Sequence, residues 1–444
     1  MKKDKNIYLN YFFYLIYILF HLFFINLFPT NFEFTFSDGF KFYEKLNIEI
    51  IENFYINNAN TFAFSLYFGW LTLLLQNLEV SVLSKIISSL SYIFLIIGII
   101  NLCNFFKIAQ KENFVILILL NPLVFILGFK GTPDLISTSL CIFALSNILV
   151  QGDLSYRKIL NCLVFGLGIT LKPINAGIIV VLFFYYCFFL KNLKIFKFLD
   201  LLLIFLVPLM YFGLNKFYFD FIIISKYYSL RTQNLGFSEF IYNFCLYLGY
   251  FSIMLSPFIF NLNLLKYLKN NINDLVILAI LFFLGSNYLM FRGEMDLGVI
   301  SQIIPEFILG GFLVCSIYLV IIFLKNQRFE NYLEKKENTK IALLVLIFIL
   351  IQIVALSLFR PTQRYLITIL PFVYLFLIKP KFMKSNFLYA LIIFIPINFV
   401  LFSQHYAVSK NTKKIIEYLK ENDLLKYTNG GAIKMHAGNV FSQY

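Results

Sequence analysis

Long apolar runs separated by short polar connections fill the chain from Ile7 to Ser403, and this pattern constrains the fold more than any other feature. Runs of about 20 apolar residues match the hydrocarbon thickness of a bilayer when they are helical. With 60% hydrophobic and 14% charged residues over 444 positions, the composition excludes an ordinary soluble domain. The chain is therefore expected to be an all-α, polytopic membrane protein of about thirteen transmembrane helices. Residues 1–403 are read as one transmembrane domain and residues 404–444 as a short extracytoplasmic tail.

The placement of basic residues sets the expected topology. Lys2, Lys3 and Lys5 precede the first apolar run, residues 7–28. That run is too long for a signal-peptide core and no small-residue cleavage site follows it, so it is read as an uncleaved span with a cytoplasmic N-terminus. The next loop holds Glu33, Asp38, Glu44, Glu49 and Glu52 against Lys41 and Lys45, and belongs outside. Within this outer loop, taken as residues 29–82, the short apolar stretch 62–75 is expected to lie at the interface. Further spans are predicted at 83–106, 114–129, 135–150, 159–171, 174–190, 199–217 and 240–262, then at 275–291, 305–324, 341–358, 365–378 and 387–403. This count puts Lys107 and Lys111, Arg157 and Lys158, Lys191 to Lys197, Lys266 and Lys269, Lys325 to Lys340 and Lys379 to Lys384 in the cytoplasm. A short amphipathic helix is expected over 410–421 in the outer tail.

Several chemistries are poorly served by this chain. Its six cysteines are scattered singly through apolar runs, and His21, His405 and His436 have no second ligand at metal-binding spacing. No motif implies a cofactor, and none requires or excludes a divalent metal. The net charge of +14 is spread between apolar runs instead of forming a basic patch, so nucleic acid is not an expected partner. A Gly-rich phosphate loop and a Rossmann unit are both lacking, which leaves no recognisable holder for a nucleotide sugar.

The outer side collects the candidate site. Asp38, Asp134, Lys172, Arg231, Arg292, Glu294, Asp296, Arg360 and Arg364 all fall at or beside predicted helix ends there. Taken singly, such charges are most often interfacial anchors, Asp38-Gly39 is a turn and Asp134 is an N-cap for the helix that follows. Taken together, acids and cations walled by apolar helices suit a substrate that carries both hydroxyl groups and a phosphate.

Four stretches resemble the GT-C superfamily of glycosyltransferases that use polyprenyl-phosphate sugars. Asp38 with Tyr43 looks like the aspartate-containing first outer loop of that family. Asn121-Pro122 leading to Gly128-Phe129-Lys130-Gly131-Thr132-Pro133-Asp134 is similar to its Asn-Pro, Arg-Gly and acidic sequence, with Lys130 where an arginine is commoner. Leu171-Lys172-Pro173 looks like a Lys-Pro element of bacterial members, and Arg360-Pro361-Thr362-Gln363-Arg364-Tyr365 through Leu370-Pro371 resembles the late Arg-Tyr helix start. The large soluble C-terminal domain of the family has no counterpart in the roughly forty-residue tail.

The resemblance implies a lipid-linked sugar donor in the bilayer and a glycan, glycolipid or protein acceptor at the extracytoplasmic face of a bacterial inner membrane. Asp38 and Asp134 are then the expected catalytic acids, with Asp38 as the base and Asp134 binding a sugar hydroxyl or orienting a cation. Tyr43, Lys172, Arg231, Arg292, Arg360 and Arg364 are the expected substrate contacts. Two other classes share much of this pattern: an O-antigen polymerase or ligase, which would usually need a larger outer loop, and a lipid-linked sugar flippase or transporter. The transporter predicts internal repeats, broken helices and charges near mid-membrane.

Overall fold

Uninterrupted Leu, Ile, Val and Phe leave a nonpolar chain no cheaper way to satisfy its backbone than the helix, and the described residues are helical, with no strand among them. The computed structural model describes residues 12–23, 80–106, 108, 111–130, 133–151, 155–189, 196–219, 236–259, 267–288, 306–326, 336–358, 363–377 and 380–422. Helix α1 is Phe12–Phe23 and α2 is Val80–Phe105. They are followed by α3 (Lys111–Leu120), α4 (Pro122–Lys130), α5 (Pro133–Val150) and α6 (Tyr156–Leu171). A 3₁₀ turn, Pro173–Ala176, leads into α7 (Gly177–Phe189), then α8 (Phe196–Phe219), α9 (Phe237–Ile259) and α10 (Ile272–Tyr288). After α11 (Glu306–Asn326) and α12 (Lys336–Ser357), a second 3₁₀ turn, Gln363–Thr368, precedes α13 (Leu370–Leu377) and α14 (Pro380–Glu421). The loop bearing Asp38 and the expected interfacial stretch 62–75 lie outside the described residues.

Helices α2, α5, α6 and α8 pack side by side in that order. Close approach depends on glycines at the crossings: a Cβ on Gly98 of α2 would stand 2.8 Å from the Phe143 nitrogen of α5. A Cβ on Gly166 of α6 would stand 2.3 Å from the Ile204 carbonyl oxygen of α8. Small residues at helix crossings let backbones approach and gain dispersion contacts along their length, the main attraction left where water is excluded. A second group runs from α10 through α11 and α9 to α12, and α12 meets α7. Helix α14 rests on α3, α4 and α9.

The structure differs from the sequence expectation in three ways. The span predicted over 114–129 is broken: α3 and α4 are bent by 59° across Asn121. Pro122 has no N–H to donate, so the ladder fails there, and neighbouring groups take up what it leaves. The Asn121 amide oxygen accepts the Leu123 N–H at 3.0 Å, the Tyr17 hydroxyl donates to the Leu119 carbonyl, and the Asn398 amide donates to the Leu120 carbonyl at 2.8 Å. Secondly, the spans expected to start at 174 and 365 each open with a 3₁₀ turn. Thirdly, the helix that carries the last predicted span continues beyond it: its apolar part is Phe387–Ser403, as expected, but α14 is one helix of 42 residues that takes in the helix expected over 410–421.

One described helix, Lys85–Phe105, is by itself long and apolar enough to cross a membrane, and the bent α3–α4 pair makes a second if counted as one span. The other apolar helices are shorter. Their outward faces carry large apolar side chains: Leu202 and Leu209 on α8, Phe283 on α10 and Leu388 and Phe399 on α14 are all more than 60% exposed.

The glycine crossings give a direct check. Gly166→Ala is expected to lower stability by about 1–3 kcal/mol through overpacking against backbone. Gly213→Ala on the same pair of helices, where a Cβ meets nothing within 4 Å, is expected to be neutral or to stabilise by up to about 1 kcal/mol. Thermal unfolding of the purified variants in detergent reads both, and equal midpoints for the two would contradict the close α6–α8 crossing.

Candidate functional site

Helices α5 and α6 are joined by a short connection and run antiparallel, so the start of α5 and the end of α6 share one end of the bundle. This brings Asp134 and Lys172 together. Pro133 takes the first position of α5, where its missing N–H costs nothing, and Asp134 follows within the first turn. It is thus inside the helix and not the N-cap that sequence alone allowed. Lys172 is the C-cap of α6, with extended backbone (φ −148°, ψ 97°) and its N–H bonded to the Gly168 carbonyl. A carboxylate at the positive end of one helix dipole and an ammonium at the negative end of the next are each favourably placed, by about 0.3–1 kcal/mol.

The Lys172 Nζ stands 3.0 Å from Asp134 Oδ1, in an ion pair whose aspartate side chain is buried and whose lysine side chain is 19% exposed. The same nitrogen lies 5.1 Å from the centre of the Tyr365 ring, which the second 3₁₀ turn presents. Ring and carboxylate thus flank the ammonium of a lysine whose side chain is partly exposed.

A buried polar cluster beneath the pair fixes the segments that carry it. The Asn175 amide donates to the Ser137 hydroxyl at 2.5 Å and accepts from the Thr138 and Thr368 hydroxyls at 3.1 and 2.9 Å. From the other side the Gln352 amide of α12 donates to the Ile174 carbonyl at 3.0 Å. Farther along, Asn121 at the α3–α4 break donates to the Tyr374 hydroxyl at 2.9 Å, and that hydroxyl donates to the Met254 carbonyl at 3.1 Å. His21 of α1 is fully buried and stacks on Phe129, with ring centroids 4.5 Å apart.

Of the residues predicted from sequence, Asp134 and Lys172 are in contact, and Arg364 sits in the 3₁₀ turn immediately before Tyr365, with its side chain outside the described residues. Asp38, Tyr43, Arg231, Arg292 and Arg360 lie outside the described residues. Tyr365, Asn175 and Gln352 were not singled out by sequence reasoning. Tyr365 lies inside the late Arg-Tyr stretch and Asn175 two residues after the Lys-Pro element, so their positions in or beside those stretches were the available signal.

A second buried ion pair sits at the far end of α6. Lys158, read from sequence as a solvated marker of topology, is 2% exposed and lies 2.7 Å from Asp200 of α8, which also accepts from the Tyr186 hydroxyl at 2.5 Å. Among the described residues no group of three or more His, Cys, Asp or Glu side chains is placed to hold a metal ion. No family model, no curated protein and no solved structure matches the chain.

Removing one partner of the Asp134–Lys172 pair leaves a charge in poor surroundings. Lys172→Met is expected to destabilise by about 3 kcal/mol, the lower end for breaking a buried pair because the lysine side chain is partly exposed. Adding Asp134→Leu should recover most of that loss. A double-mutant cycle by thermal unfolding measures it, and additive losses would show that the two groups do not interact.

Proposed function

We propose that this chain is a GT-C-like membrane glycosyltransferase that moves a sugar from a polyprenyl-phosphate donor to a glycan, lipid or protein acceptor at the extracytoplasmic face. One juxtaposition carries this: Asp134, Lys172 and Tyr365, drawn from three of the four stretches that resemble that family, meet at a single end of the bundle. The sequence-derived topology assigns that end to the outside, where nucleotide sugars are not supplied. Large apolar side chains on the outward helix faces are also what a bilayer-embedded protein requires.

In the proposed reaction Asp38 accepts the proton of an acceptor hydroxyl, whose oxygen attacks the anomeric carbon from the face opposite the phosphate. The bond from that carbon to the phosphate oxygen breaks, polyprenyl phosphate leaves as an anion, and the configuration inverts. A phosphate leaving group is already a stable anion, so cations serve it better than a general acid. Lys172, whose side chain is partly exposed, is the described cation for this task, joined by Arg231, Arg292, Arg360 and Arg364. Asp134 then acts through Lys172 as a positioning residue, since its carboxylate is buried in the ion pair.

The broken α3–α4 span favours a second reading, a lipid-linked sugar transporter, because broken helices mark many transport sites. Against it, the carbonyls of Leu119 and Leu120 freed at the break are bonded to Tyr17 and Asn398 and so are occupied by protein groups.

Asp38→Asn keeps size and hydrogen bonding while removing proton acceptance, so turnover is expected to fall by about 10²-fold or more with donor binding retained. Asp134→Asn is expected to weaken apparent donor affinity more than it slows turnover. Transfer and donor binding measured side by side distinguish the roles; normal turnover in both variants would remove the transferase reading.

A further inference from the structure

Lys172 itself has few local constraints. It lies between α6 and a four-residue 3₁₀ turn, its backbone is extended, and its side chain is long and rotatable. A helix C-terminus of this kind frays unless something outside the helix fixes the segment that follows. Two amides do so here, from opposite sides. Asn175 binds the turn to α5 through Ser137 and Thr138 and to the Gln363–Thr368 turn through Thr368, and all four side chains are almost wholly buried. Those are the two segments that supply Asp134 and Tyr365. One amide therefore ties the turn that follows Lys172 to the two segments whose side chains flank its ammonium.

Gln352 closes the opposite side, with its amide nitrogen on the Ile174 carbonyl. Its oxygen occupies the space that a side chain at position 177 would fill: a Cβ on Gly177 would stand 1.8 Å from Gln352 Oε1. Gly177 thus leaves room for this carboxamide, and a methyl group there would push Gln352 off the turn.

We propose that Asn175 and Gln352 are positioning residues that set the place of the Lys172 ammonium between Asp134 and Tyr365, where it meets an anionic group of the ligand. The link to a phosphate-bearing donor rests on the function proposed above, whereas the positioning of Lys172 does not.

The test uses the full chain in detergent and reads Lys172 directly. An amine-reactive ester is applied at limiting concentration, and modification of Lys172 is followed by mass spectrometry relative to Lys410, an exposed lysine on α14. Thr368→Val, which removes one hydroxyl at nearly constant shape, and Gln352→Leu are each expected to raise Lys172 modification relative to Lys410 by about fivefold, the factor that one lost hydrogen bond represents. Asn175→Ala should raise it further if the variant folds, and Thr368→Val keeps the test decisive if it does not. Gly177→Ala should match Gln352→Leu, and combining the two should add nothing. A merely structural role would lower the unfolding temperature of these variants and leave the Lys172 to Lys410 ratio unchanged, and that result overturns the proposal. In the transfer assay the same variants should raise KM for the polyprenyl-phosphate sugar more than they lower kcat. A raised ratio with no transfer by the unaltered protein would sustain the positioning of Lys172 and overturn the glycosyltransferase reading.

Discussion

The ion pair between Asp134 and Lys172 is the contact on which the arrangement at this end of the bundle depends. A carboxylate with almost no exposure is tolerable only beside a cation, because moving a charge out of water costs several kcal/mol even after relaxation. The pair answers that need at a place where two helix dipoles already favour both charges. It also fixes geometry. Once Lys172 must reach Asp134, the end of α6 cannot drift from the start of α5, and Tyr365 has a defined cation to cover. The pair at the other end of α6, Lys158 with Asp200, binds that helix to α8 in the same way. Between the two, Gly166 lets α6 lie directly against the α8 backbone.

Backbone satisfaction explains why polar side chains occur where they do inside so apolar a chain. At the α3–α4 break, Pro122 ends the regular ladder, and Tyr17, Asn121 and Asn398 donate or accept in its place. The cluster around Asn175 obeys the same logic at the irregular turn after Lys172. An unpartnered amide in such surroundings would cost more than its partnered form returns, so the α3–α4 break and the turn after Lys172 are each accompanied by amides or hydroxyls from distant parts of the chain.

Helix type and approximate position were legible in the sequence, because apolar run length reports them directly. Asp134, Lys172 and the late Arg-Tyr stretch were legible as site candidates because charges and prolines at helix ends are conspicuous in an apolar background. What the sequence could not give was the use of the interior Asn and Gln residues. Asn175 and Gln352 look like ordinary helix-packing residues and Asn121 stands out only as part of an Asn-Pro element, and their roles depend on partners such as Tyr374, Thr368 and Ile174 that only the fold brings near. The break at Asn121 was hidden for a related reason: hydropathy is continuous across Pro122, and only the neighbouring donors make a bend there affordable. Lys158 misled in the opposite direction, since a lysine next to an arginine at a helix start reads as solvated until Asp200 is found beside it.

The most direct measurement of the functional account is release of polyprenyl phosphate from radiolabelled polyprenyl-phosphate sugars by the purified protein in proteoliposomes with an acceptor present. The account predicts release coupled to label appearing on the acceptor, and loss of both in Lys172→Ala. Movement of intact donor across the bilayer without release of polyprenyl phosphate would contradict it.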